Sequence, residues 1–139
     1  MGPTIRIGEY ACYNSEHDII FMPSKFDPLM YKNHTYATVL LHELGHWTGH
    51  ESRLCRPYFD SGKRSFLEKG NSELIRLYAE EEIVAELTAA QLALEFGIYW
   101  SAANSAEYLR QYLNKTDKPL KHFFQDAHRA VNYLKQWKY

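Results

Sequence analysis

Two histidines stand four residues apart in the run His42-Glu43-Leu44-Gly45-His46, with an acid directly after the first. On a helix, residues four apart project from one face, so both imidazoles can grip a single metal ion. Zn2+ suits neutral imidazole, and a site with three protein ligands keeps a fourth position for water, which the ion makes acidic. Glu43 lies where its carboxylate could take a proton from that water and pass it to a leaving amine. His42, His46 and Glu43 are therefore the candidate metal ligands and general base for hydrolysis of a peptide or protein substrate.

A third ligand is required. The run continues to Gly49, His50 and Ser52, so His42-Glu43-x-x-His46-x-x-Gly49 matches the first part of the metzincin pattern. That pattern wants histidine at position 52, where serine stands, and a methionine downstream, whereas Met1, Met22 and Met30 all lie upstream. The metzincin reading fails on both counts. His50 stays a secondary candidate beyond the expected helix end. The helical wheel of residues 72–96 offers more: Glu82 shares a face with Ile75, Tyr78, Ala79, Ala85, Ala89, Ala93 and Phe96, and Glu86 follows one turn later. Two carboxylates in an alanine-rich packing stripe are costly without partners, and a metal with its histidines would satisfy both. Glu80, Glu81 and Glu95 point elsewhere on this wheel and read as solvated charges. The spacing Glu82-x-x-x-Glu86 is similar to the gluzincin pattern Glu-x-x-x-Asp. That likeness implies Glu82 on the metal and Glu86 on a ring N–H of His42 or His46; the exchange of the two roles stays open.

The elements that must carry these residues follow from pattern. Tyr10–Tyr13 and Asp18–Met22 flank the polar turn 14–17 as a hairpin, and a loop with Pro23 and Pro28 follows. A helix is expected from about Asn33 through Trp47, with Gly49 as its stop. Residues 49–71, with Pro57, Gly62 and Gly70, read as mostly irregular. A long helix should run from Ser72 to Phe96 and end at Gly97. Asn104 with Glu107 looks like the cap of a short helix to Leu113, and Asp117 and Pro119 open a last helix with Leu120, Phe123, Phe124, Ala127, Val131 and Leu134 inward. Strands first and helices after make the fold α+β. At 139 residues one domain, 1–139, is expected.

Composition excludes other classes. The net charge of −1 argues against a domain built mainly to hold nucleic acid. No run approaches the length of a membrane span. Two cysteines are too few for a disulfide framework and suggest a cytoplasmic setting. The segment 118–139 sets Lys118, Lys121, Arg129, Lys135 and Lys138 against Asp126, interleaved with aromatics. Such a mixture could stack on single strands, but an amphipathic helix with its aromatics packed inward is the expected reading.

The run Tyr36–His50 followed by Ser52-Arg53-Leu54, with Glu81–Leu87 and Ala130–Leu134, resembles the zincin-like metallopeptidase domain of ArdC-type antirestriction proteins of bacterial plasmids and mobile elements. The resemblance spans about Ile7 to Leu134. It implies a zincin-like fold and a place after an N-terminal domain that binds single-stranded DNA, so that this chain would meet DNA only through that missing part. The alternative from another class is a non-catalytic antirestriction module that keeps its metal for folding. The group that would stabilise the oxyanion stays open among Tyr108, Tyr112, His122 and His128.

Overall fold

The structure, a computed structural model, describes residues 2–25, 35–64 and 71–136. Three short strands, β1 (Thr4–Ile7), β2 (Cys12–Asn14) and β3 (Ile19–Met22), form a sheet of order β1-β3-β2. β2 and β3 make the expected antiparallel hairpin, pairing Tyr13 with Ile20. β1 runs parallel to β3, with Ile5 opposite Ile20. Ile20 and Met22 on β3 are buried against Trp47, which makes the sheet a floor under the first helix.

That helix, α1 (Tyr36–Thr48), starts on a Thr35–Thr38 capping box in which each side chain bonds the other's backbone N–H. The expected start at Asn33 and the loop at Pro28 lie outside the described residues, as do Gly70 and residues 137–139. Of the segment after α1, residues 49–64 are described and are mostly irregular, as the Pro and Gly content implies, with a 3-10 turn at Pro57–Phe59 and a short helix α2 (Ser61–Arg64). The long α3 (Ser72–Phe96) has Asn71 as its cap and ends on Gly97 in the left-handed region at φ 69°. There glycine avoids the Cβ clash other residues meet.

α4 (Ala102–Leu113) begins three residues earlier than the sequence suggested, because the Ser101 hydroxyl accepts from the Asn104 N–H. Asn104 thus lies inside the helix rather than capping it. The final helical stretch opens as a 3-10 turn, Leu120–Phe123, and continues as α5 (Phe124–Lys135). Phe123, Ala127 and Val131 face inward as expected, whereas Phe124 is 53% exposed.

α3 is the central element, packed against α1, α4 and α5. Its middle, Glu81 to Glu86, is buried continuously. Ile75, Tyr78 and Phe96, placed on the inner face by the wheel, are exposed, although Tyr78 still meets Tyr112 of α4. Gly45 lets α1 and α3 meet closely: a Cβ there would lie 3.0 Å from Ala85 Cα. This approach sets the distance across which the histidines face the acids.

Candidate metal centre

His42 and His46 sit one turn apart on α1 and point at α3. Their Nε2 atoms lie 3.2 Å apart. Glu82 reaches both, with Oε2 3.1 Å from His42 Nε2 and Oε1 3.1 Å from His46 Nε2. Among the described residues this is the one group of three donors that could hold a metal ion. The outer ring nitrogens are held as well: His42 Nδ1 is 3.0 Å from Glu86 Oε1, and His46 Nδ1 is 2.8 Å from Glu81 Oε2. A carboxylate on Nδ1 keeps the proton there and turns the Nε2 lone pair inward. Two N–H groups aimed at one another across 3.2 Å would repel, whereas two lone pairs and a carboxylate converging on one cation would not. The donor set, two nitrogens and one oxygen, fits a zinc-type ion.

Electrostatics agree with that fit. Burial disfavours the charged imidazole of His42, but its hydrogen bonds to Glu82 and Glu86 outweigh burial and raise its pKa to about 9. His46 is raised to about 10 in the same way, burial being overcome by Glu81 and Glu82. Burial would push the Glu82 carboxyl up, yet the two histidines hold it far below the ordinary carboxylate range. Acids that favour positive charge on the two imidazoles would favour a cation between them in the same way.

Glu43 is 7% exposed and lines the cleft beside His42, outside the three converging donors. That cleft, about 190 Å³ and open to solvent, runs between α1 and the 99–108 segment, with Thr38, Val39, Trp100, Ser105 and Tyr108 in its walls. The Tyr108 hydroxyl donates to Glu82 and lies 3.5 Å from His42 Nε2. Burial first, then the Glu82 charge, raises its pKa, so the phenol keeps its proton. Of the four residues left open in the sequence, Tyr108 is the one in the cleft wall. Tyr112 packs on Tyr78 and Tyr108, His122 on Phe123, and His128 lies by Gln91. His50 bonds Ser52 instead of joining the donors.

One expectation is overturned. Glu81 is not a solvated charge: it is 3% exposed and joins His46 to Arg56, whose Nε lies 2.6 Å from Glu81 Oε1. A wheel with a single inner face cannot place it, because the middle of α3 is buried on several sides at once. Thr88, set beside it on the outer face, is also fully buried and bonds the Val84 carbonyl. Glu80 and Glu95 do lie nearer the surface, paired with Arg76 and Lys118 and with Lys135. In the basic C-terminal segment Lys118 and Lys135 are thus engaged, Arg129 pairs with Asp126, and Phe123 is buried while Phe124 is exposed; Trp137 and Tyr139 lie outside the described residues.

Comparison with known proteins places this geometry. A family described as zincin-like metallopeptidase matches residues 2–129. Two DNA primases TraC of Escherichia coli are similar, one 39% identical over 114 residues and the other 33% over 130. These matches take in 81% and 91% of this chain but 10% and 8% of the primases, so the chain spans a small part of those relatives. The antirestriction protein ArdC of plasmid R388 is similar in structure. Its Mn(II)-bound form gives a TM-score of 0.61 at 30% identity, covering 97% of this chain and 48% of that one. The metal-free form gives 0.58 at 29% identity, covering 97% and 46%. With the match running from residue 2 to 129 and the histidines and acid gathered as such a fold requires, the chain belongs to the zincin-like metallopeptidase family.

Proposed function

We propose that the domain hydrolyses peptide bonds, with zinc held by His42, His46 and Glu82 and with Glu43 as general base. The observation that carries this reading is the division of labour among buried acids. Glu82 points its oxygens at both Nε2 atoms, while Glu43, equally buried, stands free of the donor set at the cleft. A bound zinc ion would supply Lewis acidity, polarising the scissile carbonyl and acidifying the attacking water. Glu43 then takes the water's proton as oxygen attacks carbon, and hands it to the amide nitrogen as the C–N bond breaks. Glu86 and Glu81 hold the imidazoles in the tautomer whose Nε2 faces inward. Tyr108, which retains its phenolic proton, can donate it as a hydrogen bond to the carbonyl oxygen as charge builds there.

The likeness to an antirestriction protein of plasmid R388 supports a role in mobile-element biology, where the domain would act on a protein. In this reading the described fold is one catalytic domain, and any contact with single-stranded DNA belongs to a separate domain. The test is cleavage of an unbiased peptide library, and of restriction-system proteins, by the zinc-loaded wild type and Glu43→Gln side by side. The amide variant should keep its zinc and its melting temperature while hydrolysis falls at least about 10²-fold. Equal rates would overturn the role of Glu43. An antirestriction effect that survives Glu43→Gln in full, with no substrate cut, would instead point to the non-catalytic, metal-stabilised module.

A further inference from the structure

Gly49, three residues after His46, looks in the sequence like a helix stop. Its backbone, at φ −83° and ψ −6°, is right-handed and open to any residue. What demands glycine here is space. A Cβ at this position would lie 2.5 Å from Arg56 Nη2, 2.7 Å from Arg56 Cζ and 2.8 Å from Phe59 Cδ2.

The guanidinium seated there is 5% exposed and engaged at every nitrogen. Nε and Nη2 take the two oxygens of Glu81, at 2.6 and 3.0 Å. Nη2 also donates to the Gly45 carbonyl at 2.6 Å, and Nη1 to Thr48 Oγ1 at 2.9 Å. Arg56 is thus fixed to the last turn of α1 and fixes in turn the carboxylate whose Oε2 meets His46 Nδ1. As a device for stability alone, a buried ion pair returns little, because desolvation offsets the attraction. A planar fork does something a point charge cannot: it sets the plane of the carboxylate it holds.

We propose that Arg56, seated against Gly49, is a positioning residue for metal binding, acting on His46 through Glu81. This rests on the reading of His46 as a metal ligand. Lysine at 56 would keep the charge and lose the fork, leaving Glu81 free to turn and His46 free to tilt. Alanine at 49 would keep the charge and push the guanidinium off its seat.

The experiment is titration of the purified protein with zinc and with cobalt(II), the latter read by its visible absorption band. Arg56→Lys should fold, bind zinc about 10–100-fold more weakly, the range for losing a partner behind a metal ligand, and show a shifted cobalt band. Gly49→Ala should move both readouts in the same direction. Arg53→Lys, in the same loop but bonded to Asp18 and Trp47, should lower stability without moving the cobalt band. Folded Arg56→Lys and Gly49→Ala proteins with wild-type affinity and band would overturn the proposal. If neither folds, Glu81→Gln decides on the same two readouts. Failure of all three to fold would assign Arg56 to stability alone, and overturn the proposal as well. A wild type that binds neither metal would defeat the site reading itself, and this inference with it; unaltered variants of a metal-binding wild type would defeat only this inference.

Discussion

Three acids on neighbouring turns of one helix do different work because each meets a different atom. Glu82 meets the inner nitrogens, Glu86 the outer nitrogen of His42, and Glu81 the outer nitrogen of His46. Their removal should therefore have unequal effects. Glu82→Ala should abolish stoichiometric zinc by elemental analysis, whereas Glu86→Ala should keep one zinc per chain at about 10–100-fold lower affinity in a chelator competition. Equal losses would mean that the two roles are shared or exchanged. A second residue-level expectation concerns Asp18. Burial alone would raise its carboxyl, but hydrogen bonds from Arg53 at 3.0 Å and Tyr13 at 2.5 Å outweigh burial and depress it. A depressed carboxyl stabilises the fold above its ordinary pKa, and that contribution is lost as pH falls through the depressed value. Asp18→Asn, which tolerates the same φ of 55°, should melt below wild type at neutral pH. The gap should shrink below about pH 4; a gap independent of pH would deny the carboxylate its role.

At the scale of elements, the site depends on how closely α1 and α3 approach. A Cβ on Gly45 would stand 3.0 Å from Ala85 Cα and 3.1 Å from its carbonyl oxygen, backbone atoms that cannot rotate aside. Gly45→Ala should destabilise the domain by about 1–3 kcal/mol in urea unfolding, even though alanine is the better helix former by about 1 kcal/mol. Net stabilisation would show that the helices can part without cost. The same contact explains what the sequence could and could not reveal. His42 and His46 are legible because helical spacing alone puts them together. Glu82 and Glu86 are legible because acids amid alanines need partners. Arg56 was out of reach: it lies in an irregular segment with no period to read, and its contacts are all tertiary. Glu81 was misplaced for a related reason, since a one-sided wheel fails on a helix enclosed by several elements. The start of α4 was missed because two capping-competent residues, Ser101 and Asn104, stand three apart and only packing chooses between them.

For the whole molecule, the proposed ligands join α1 to α3 across the centre of the fold, while the sheet and α5 buttress α1 from behind through Trp47 and Tyr133. Among the described residues no helix is long and apolar enough to cross a membrane. A metal bound by the folded state and not by the unfolded chain stabilises by mass action, about 2.7 kcal/mol at free zinc 100-fold above its dissociation constant. Zinc should accordingly raise the melting temperature and a chelator should reverse the rise, by scanning calorimetry. Loss of this response in His42→Ala and His46→Ala would tie it to the site, and its persistence would place the metal elsewhere. A crystal structure of the zinc-loaded protein with anomalous scattering at the zinc edge would show the ligand set itself. One strong peak per chain is expected, bonded to His42 Nε2, His46 Nε2 and a Glu82 oxygen, with Glu43 beside it but not bonded to it. A peak ligated by Glu43 or His50, or one lying away from α3, would contradict that ligand set.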